Sequence, residues 1–501
     1  VTLTALFTLF SILRTPSFQE LAGRIAAGFL SNHLNSEVYL ERIRLSDFLL
    51  VTIEGLQVND HHSEKMLVVE EMRIGLNNFS LKEHRINLGH VSLDSGAFFL
   101  RRYPEDSLLN IATFVKAFGE DTTAGSSDPA LWTITCEELT LTGFTFGLKN
   151  GIPDTISGMN FDDLYFSDIF VDIDDISVTG DSIAAFVNHV ACMEKSGLGL
   201  LNFSGDATVS SSGIRVHQAQ ISTGQTSLDL DLEFLYTDYS TLSYFLDSVM
   251  IRSDIRSSLI TMSDIGYFAP LLASMGDPVM FAGSVKGSVS DFEATDLRIN
   301  LGEFTQFLGS VQMVGLPDFN STWIRMDIDR LSTMPEDIRD FDLPIENQDS
   351  LLPPQVMQMG LTTVTGFYEG LMSDFKTQLK VNTDVGSVNI KGSMSENNPD
   401  AVPVFAGEVN GVNIHIGSML GIQDLGIVNL EMEFEGKVPA DSAFELDLNG
   451  WLTDLSFREH SYEKIIVGGK VRGESYSGRL IVEDSSANLA FNGLVDFNGL
   501  H

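Results

Sequence analysis

The 501-residue chain carries 30 basic against 69 acidic residues, a net charge of −39, and 43% of it is hydrophobic. That charge balance repels phosphate backbones and argues against nucleic-acid binding, while the apolar content is too high for a disordered acidic tail. Two cysteines, Cys136 and Cys192, cannot build a disulfide framework and lack the Cys-x-x-Cys spacing of zinc or redox sites; the sequence leaves open whether they pair.

A length prior of about 150 residues per domain suggests roughly three domains. No Pro-rich, Ser-rich or charge-run linker interrupts the text, and the 14 prolines lie singly apart from Pro353-Pro354. One elongated body is therefore expected. Residues 1–16 read as a truncated transmembrane helix, with Leu3, Leu6, Phe7, Leu9, Phe10, Ile12 and Leu13 as its anchor and no charge before Arg14. A full span needs about 20 apolar residues, so either residues precede Val1 or the run is a signal-peptide core; no small-residue cleavage motif follows, which favours the helix.

Residues 17–36 form an expected amphipathic helix. Ser17 and Glu20 make a capping box beside Pro16, and Phe18, Leu21, Ala22, Ile25 and Phe29 fall at helical spacing. The stripe suits a membrane surface, the end of a sheet, or packing on the first strands. From Glu37 a period of two takes over, giving a first β region over 37–120, with a helix at Asp106 to Phe118, and a continuous β region over 121–501.

Several strands alternate cleanly. Leu228, Leu230, Leu232 and Phe234 interleave with Asp229, Asp231 and Glu233; Ile324, Met326 and Ile328, then Leu430, Met432 and Phe434, then Phe444, Leu446 and Leu448 repeat the arrangement, and Leu489 and Phe491 continue it. Successive strand residues point to opposite faces, so each run has one wet and one dry side. Asn492-Gly493 predicts a tight hairpin turn. Gly-x-x-Ser-Asp-Phe occurs at Gly287 to Phe292 and again at Gly370 to Phe375, a hint of internal repetition. Further helices are expected at Met262 to Met275 and around Pro354 to Met359, and Ser182 to Met193 is ambiguous.

The expected fold class is mostly β: an elongated, curled antiparallel sheet with a few short helices. About 30 strands at ~4.8 Å would extend a single sheet on the order of 140 Å, so it must curl or split, into packed sheets, a barrel or a groove. An apolar interior and acidic exterior would make a trough in which acyl chains replace a second layer.

No nucleophile elbow, Walker loop, His-Glu-x-x-His or EF-hand pattern is present. Asp172, Asp174 and Asp175 continue the strand alternation and read as a solvated face rather than a calcium site. His61 and His62 fall in an apparent turn, where adjacent side chains are expected to point apart, against metal binding. No enzyme, metal or cofactor is expected.

Three stretches resemble the amino-terminal region of TamB proteins of the AsmA-like superfamily, most closely their Bacteroidetes branch: Arg14 to Ala22, Phe29 to Leu34, and Val51 to Asp60. Glu194 to Gly197, Gly315 to Asp318 and Phe405 to Phe434 add looser likeness, and coverage is essentially the whole chain. The resemblance implies a single inner-membrane helix, a β-taco body in the periplasm of a Gram-negative bacterium, and transport of phospholipids toward the outer membrane. It also implies a BamA-type barrel partner, met through a distal part beyond His501. The expected function is a bridge-like lipid transfer protein whose partner is membrane lipid. The alternatives are a scaffold for outer-membrane protein assembly and a non-catalytic β-sandwich surface protein.

Overall fold

The computed structural model describes residues 15–496 apart from 35, 48–49, 81–82, 107, 113–132, 153–157, 269, 276, 341–355, 396–402, 438–444, 459, 474 and 486. The anchor residues Leu3 to Leu13, and Phe444, lie outside the described residues. No helix among the described residues is long and apolar enough to cross a membrane. Among the described residues the chain is mostly β, with 25 strands, one 19-residue helix and several short ones, and it divides into two compact units.

The first unit holds residues 1–243 and 258–274. Helix α1 (Pro16–Leu34) packs on β1 (Val38–Tyr39) and β2 (Arg42–Asp47). Its contact face is the small one: Gly23 lies against the backbone of Leu40 to Arg42 and Gln19 is buried, whereas Leu21 and Ile25 are exposed. Then follow β3 (Leu50–Asn59), β4 (Lys65–Ser80), β5 (Arg85–Arg102), β6 (Thr133–Asn150), β7 (Asp163–Thr179), β8 (Ser182–Glu194), β9 (Gly199–Ser210), β10 (Gly213–Ser222) and β11 (Ser227–Leu235). Each pairs antiparallel with the next, except that β5 and β6 run parallel from Arg85↔Thr133 to Arg102↔Asn150. A parallel neighbour requires a crossover, which accounts for the long connection between them. A compact core cluster of Val38, Val58 and Met66, with Leu56, Leu67, Phe98 and Ile111 against it, closes the helix end of the unit.

The second unit holds residues 244–257 and 275–501, and β12 (Met250–Thr261) is divided between the units at Ser257. Here β13 (Pro278–Gly287), β14 (Asp291–Leu301), β15 (Thr305–Val314), β16 (Trp323–Thr333), β17 (Thr362–Gly370), β18 (Phe375–Thr383) and β19 (Gly386–Ser395) come first. They are followed by β20 (Val404–His415), β21 (Ile427–Lys437), β22 (Glu445–Phe457), β23 (His460–Arg472), β24 (Ser475–Glu483) and β25 (Asn488–Asp496). All successive pairs from β13 to β25 are antiparallel.

Bulges interrupt several ladders. In β10 the segment Val216–Ala219 faces only Leu232–Leu230 of β11; Gln218 at the bulge has φ 51°, and its N–H donates to Asp231 Oδ1 at 2.7 Å. Asp168 and Asp175 in β7, Asp296 in β14 and Asn413 in β20 take the same left-handed conformation where register shifts. Short polar side chains tolerate that conformation best, and each bulge bends its strand and increases local twist.

The repeated Gly-x-x-Ser-Asp-Phe motif is one hairpin used twice. Gly287 pairs with Phe292 and Gly370 with Phe375, at φ 134° and 138°. A β-carbon at either glycine would lie 2.6 Å from the Cα of its partner phenylalanine. The likeness is thus accounted for by turn chemistry, and Gly370→Ala is expected to destabilise the second unit by about 2 kcal/mol, read as a lower urea midpoint.

Other expectations are corrected. Asn492-Gly493 lies inside β25, opposite Arg479 and Gly478, rather than in a turn. Met262 to Met275 contains one helical turn, Met262–Ile265, because Gly266 and Pro270 interrupt it, with a 3-10 turn at Pro270–Leu272. Around Pro354 to Met359 there is only a 3-10 turn, Val356–Gln358, and Ser182 to Met193 is strand β8. Of the helix expected from Asp106, residues 113–118 lie outside the described residues, and Asp106 itself is not helical.

Candidate functional site

Direct antiparallel partners share a face, so the registers trace which side chains line up across the strands. In the second unit one line runs Phe281, Ile299, Phe307, Leu331, Val364, Val381, Val388, Gly411, Leu430, Leu452, Ile465, Val482, Leu489. Every strand from β13 to β25 contributes an apolar residue or glycine to it. At ~4.8 Å per strand the row extends roughly 60 Å. A parallel row passes through Leu297, Ile328, Leu379, Val409, Met432 and Phe491.

These side chains are mostly half-buried. Ile324, Ile465 and Val482 fall below a tenth exposed, while Leu489 is 58% exposed. The residues pack against their ladder neighbours without being sealed. Glycines on this face are filled from the next strand: Phe405 lies over Gly436 and Phe434 over Gly407, a reciprocal pair whose ring centroids are 6.2 Å apart. Gly450 likewise lies beneath Met432, and a side chain at either glycine would displace its cover.

The first unit has the same construction. Met72, Leu93, Leu141, Val171, Val190, Phe203, Ile221 and Leu228 align across β4 to β11, and Phe98, Phe146 and Phe166 form an aromatic row with centroids 6.1 and 6.2 Å apart. Leu230, Leu232 and Phe234 face Ala219, Val216 and Ile214. Cys136 and Cys192 are free thiols among apolar partners, opposite Ile176 and Leu200, and burial pushes both thiols above their ordinary value.

The structure thus places Leu228, Leu230, Leu232 and Phe234 on the apolar face of the first unit. Ile324, Met326, Ile328, Leu430, Met432, Phe434, Leu446, Leu448, Leu489 and Phe491 lie on that of the second. The reverse face carries charge ladders. Glu369 accepts from Arg325 at 3.0 Å and pairs with Lys376 at 3.2 Å; Lys470 meets Asp447 at 3.2 Å and Arg472 meets Glu445 at 3.1 Å. Exposed pairs of this kind contribute ~0–1 kcal/mol each, so they mark the wet side more than they stabilise it.

A second class of acid was hidden in the sequence by the abundance of the first. Asp60, Glu194 and Asp484 are buried; Asp60 and Glu194 cap turns, and Asp484 accepts the N–H of Glu463 in β23 at 3.1 Å. Glu194, in the Glu194 to Gly197 stretch, accepts the N–H of Ser196 at 2.6 Å and of Tyr165 at 3.2 Å. Burial pushes its carboxyl up, but these hydrogen bonds bring it below the usual glutamate range. His61 and His62 also depart from expectation: their rings converge, with centroids 4.4 Å apart. They occupy the expected turn, closed by Ser63 at φ 61°, and within it both rings reach Asp106 instead of pointing apart.

Compared with known proteins, the chain matches no family model, no curated protein and no solved structure.

Proposed function

We propose that this chain is a bridge-like lipid transfer protein, a non-catalytic wall along whose apolar face phospholipid acyl chains pass between membranes. The observation that carries the reading is the row from Phe281 to Leu489, apolar or glycine at every strand and open to contact along most of its length. Each CH2 removed from water is favourable by about 0.8 kcal/mol, so an acyl chain laid on such a row gains what a second protein layer would otherwise supply. A repeated environment from strand to strand lets that chain move without a deep trap.

In this reading the apolar face of each unit is the lipid path and the charge ladders lie on the reverse face, with the bulges at Gln218 in the first unit and at Asp296 and Asn413 in the second adding local twist. Residues 1–16 anchor the chain in an inner membrane, and the exposed Leu21 and Ile25 of α1 meet its surface. The body stands in the periplasm, with membrane lipid as its partner and an outer-membrane barrel as a second one.

The test is transfer of a fluorescent phospholipid from donor to acceptor vesicles by the purified chain, with bound lipid quantified after detergent removal. Lipid retained by the chain, with transfer proportional to its concentration, supports the proposal. A chain that retains none and transfers none overturns it. Depletion of particular outer-membrane barrels in cells lacking the protein, with normal lipid flux, would instead favour the assembly scaffold.

A further inference from the structure

We propose that His61, His62 and Asp106 form a binding site for a divalent transition-metal ion of the zinc class. The ion would clip the β3–β4 turn to the segment that follows β5. The two imidazoles meet at one carboxylate oxygen: Nε2 of His61 lies 2.7 Å and Nε2 of His62 3.1 Å from Oδ2 of Asp106. All three ligand atoms lie within 4.8 Å of one another. Donors around a tetrahedral ion, at ~2.0–2.2 Å from it, are separated from each other by roughly 3.3 Å, so only a small outward adjustment admits the metal. Two imidazoles and a carboxylate suit zinc, nickel or copper better than calcium or magnesium, which favour all-oxygen sites.

The surroundings hold this arrangement in place. Asp60 Oδ1 accepts the N–H groups of His62 and Glu64, both at 3.0 Å, and thereby shapes the histidine turn. Asp60 Oδ2 accepts from the Tyr103 hydroxyl at 2.8 Å and from Asn110 Nδ2 at 2.9 Å, which fixes the segment carrying Asp106. Asp60 is 4% and Asn110 1% exposed, so the two ligand-bearing segments share one buried anchor. The Tyr103 ring lies 3.9 Å from that of His62, limiting its rotation. Glu105 stands 3.9 Å from Nδ1 of His62, beyond hydrogen-bond distance but near the ring nitrogen that a carboxylate accepts from when the other nitrogen holds a metal.

The three ligand side chains are a quarter to a third exposed, and a cleft lined by Ser31, Glu37, Tyr39, Asp60 and Ser63 runs up to His61. An ion there has a path in and a free coordination position. None of this depends on the lipid path, since the cluster is at the end of the strands.

Isothermal titration of the chelator-treated chain with zinc chloride tests the assignment, with Asp106→Asn, His62→Ala and a control, His460→Ala. The expected result is one tight ion per chain, an affinity at least about tenfold weaker in Asp106→Asn and His62→Ala, and no change in the control. Cobalt(II) substituted into the same chain should give tetrahedral visible absorption bands that Asp106→Asn, which keeps the shape of the aspartate, loses. Absence of stoichiometric zinc binding by the unmodified chain overturns the proposal, as does zinc binding indifferent to both ligand variants.

Discussion

A Met432→Asp variant is expected to fold and to lose lipid passage. Met432 is half-buried, pairs with Val409 on one side and Gly450 on the other, and lies over the latter. A carboxylate there meets water in the free protein, so stability should fall by only about 1–2 kcal/mol. An acyl chain crossing the row must strip that water without offering a hydrogen bond in return. Even about 3 kcal/mol of such a penalty slows transfer by roughly 100-fold. Glu431→Gln, on the reverse face opposite Asn410 and Trp451, should leave transfer unchanged. Vesicle transfer measured beside the urea midpoint separates the effects; equal rates for Met432→Asp and the unmodified chain would remove the apolar face from the path.

Asp60→Ala is the substitution expected to cost most in stability. It leaves the Tyr103 hydroxyl and the N–H groups of His62 and Glu64 without this acceptor, and leaves the Asn110 amide its 3.2 Å bond to the Phe99 carbonyl, in a site where Asn110 is fully enclosed. At about 1–3 kcal/mol per buried group left unpaired, and with partial relaxation, a loss of roughly 3–5 kcal/mol is expected for the end of the unit around Val58 and Met66. Hydrogen exchange at the His62 and Glu64 amides measures it; protection equal to that of the unmodified chain would contradict the capping role.

The same carboxylate sets an acid limit. Burial pushes Asp60 up, but the hydrogen bonds from Asn110, Tyr103 and the two backbone N–H groups together hold it below the ordinary value of 3.8. A lowered folded value means that its stabilisation is fully present above the unfolded value and is lost as pH falls through the folded one. The contribution of the Asp60 carboxylate to the turn should therefore be constant near neutrality and be lost only below about pH 4. Tyr103, pushed up to about 12 by burial and by the Asp60 carboxylate, stays a donor throughout.

What was legible in the sequence was what a period of two encodes. Leu228 to Phe234 and Leu430 to Phe434 lie on apolar faces because any extended segment with that alternation must separate its side chains so. Neither the parallel pairing of β5 with β6 nor the register that lines Phe281 up with Leu489 is visible in local pattern, since both depend on which strands meet. Glycine was the main source of error. Asn492-Gly493 has the composition of a turn, but Gly493 is one of the gaps on the apolar face, opposite Gly478 and close to the Phe491 ring. The helix read over Met262 to Met275 followed apolar spacing that Gly266 and Pro270 overrode. The convergence of His61 and His62 depends on how their turn bends and on Asp106, far along the chain, lying beside it, and neither is visible in residue identity.

The most direct measurement is site-specific photocrosslinking in vesicle-bound protein, with the probe placed in turn at adjacent positions of one strand. Leu379 and Val381 of β18 lie on the apolar face, and Gln378 and Lys380 on the other. Lipid adducts at Leu379 and Val381 and none at Gln378 and Lys380 are the predicted pattern. Adducts without alternation, or confined to Gln378 and Lys380, would contradict the lipid path.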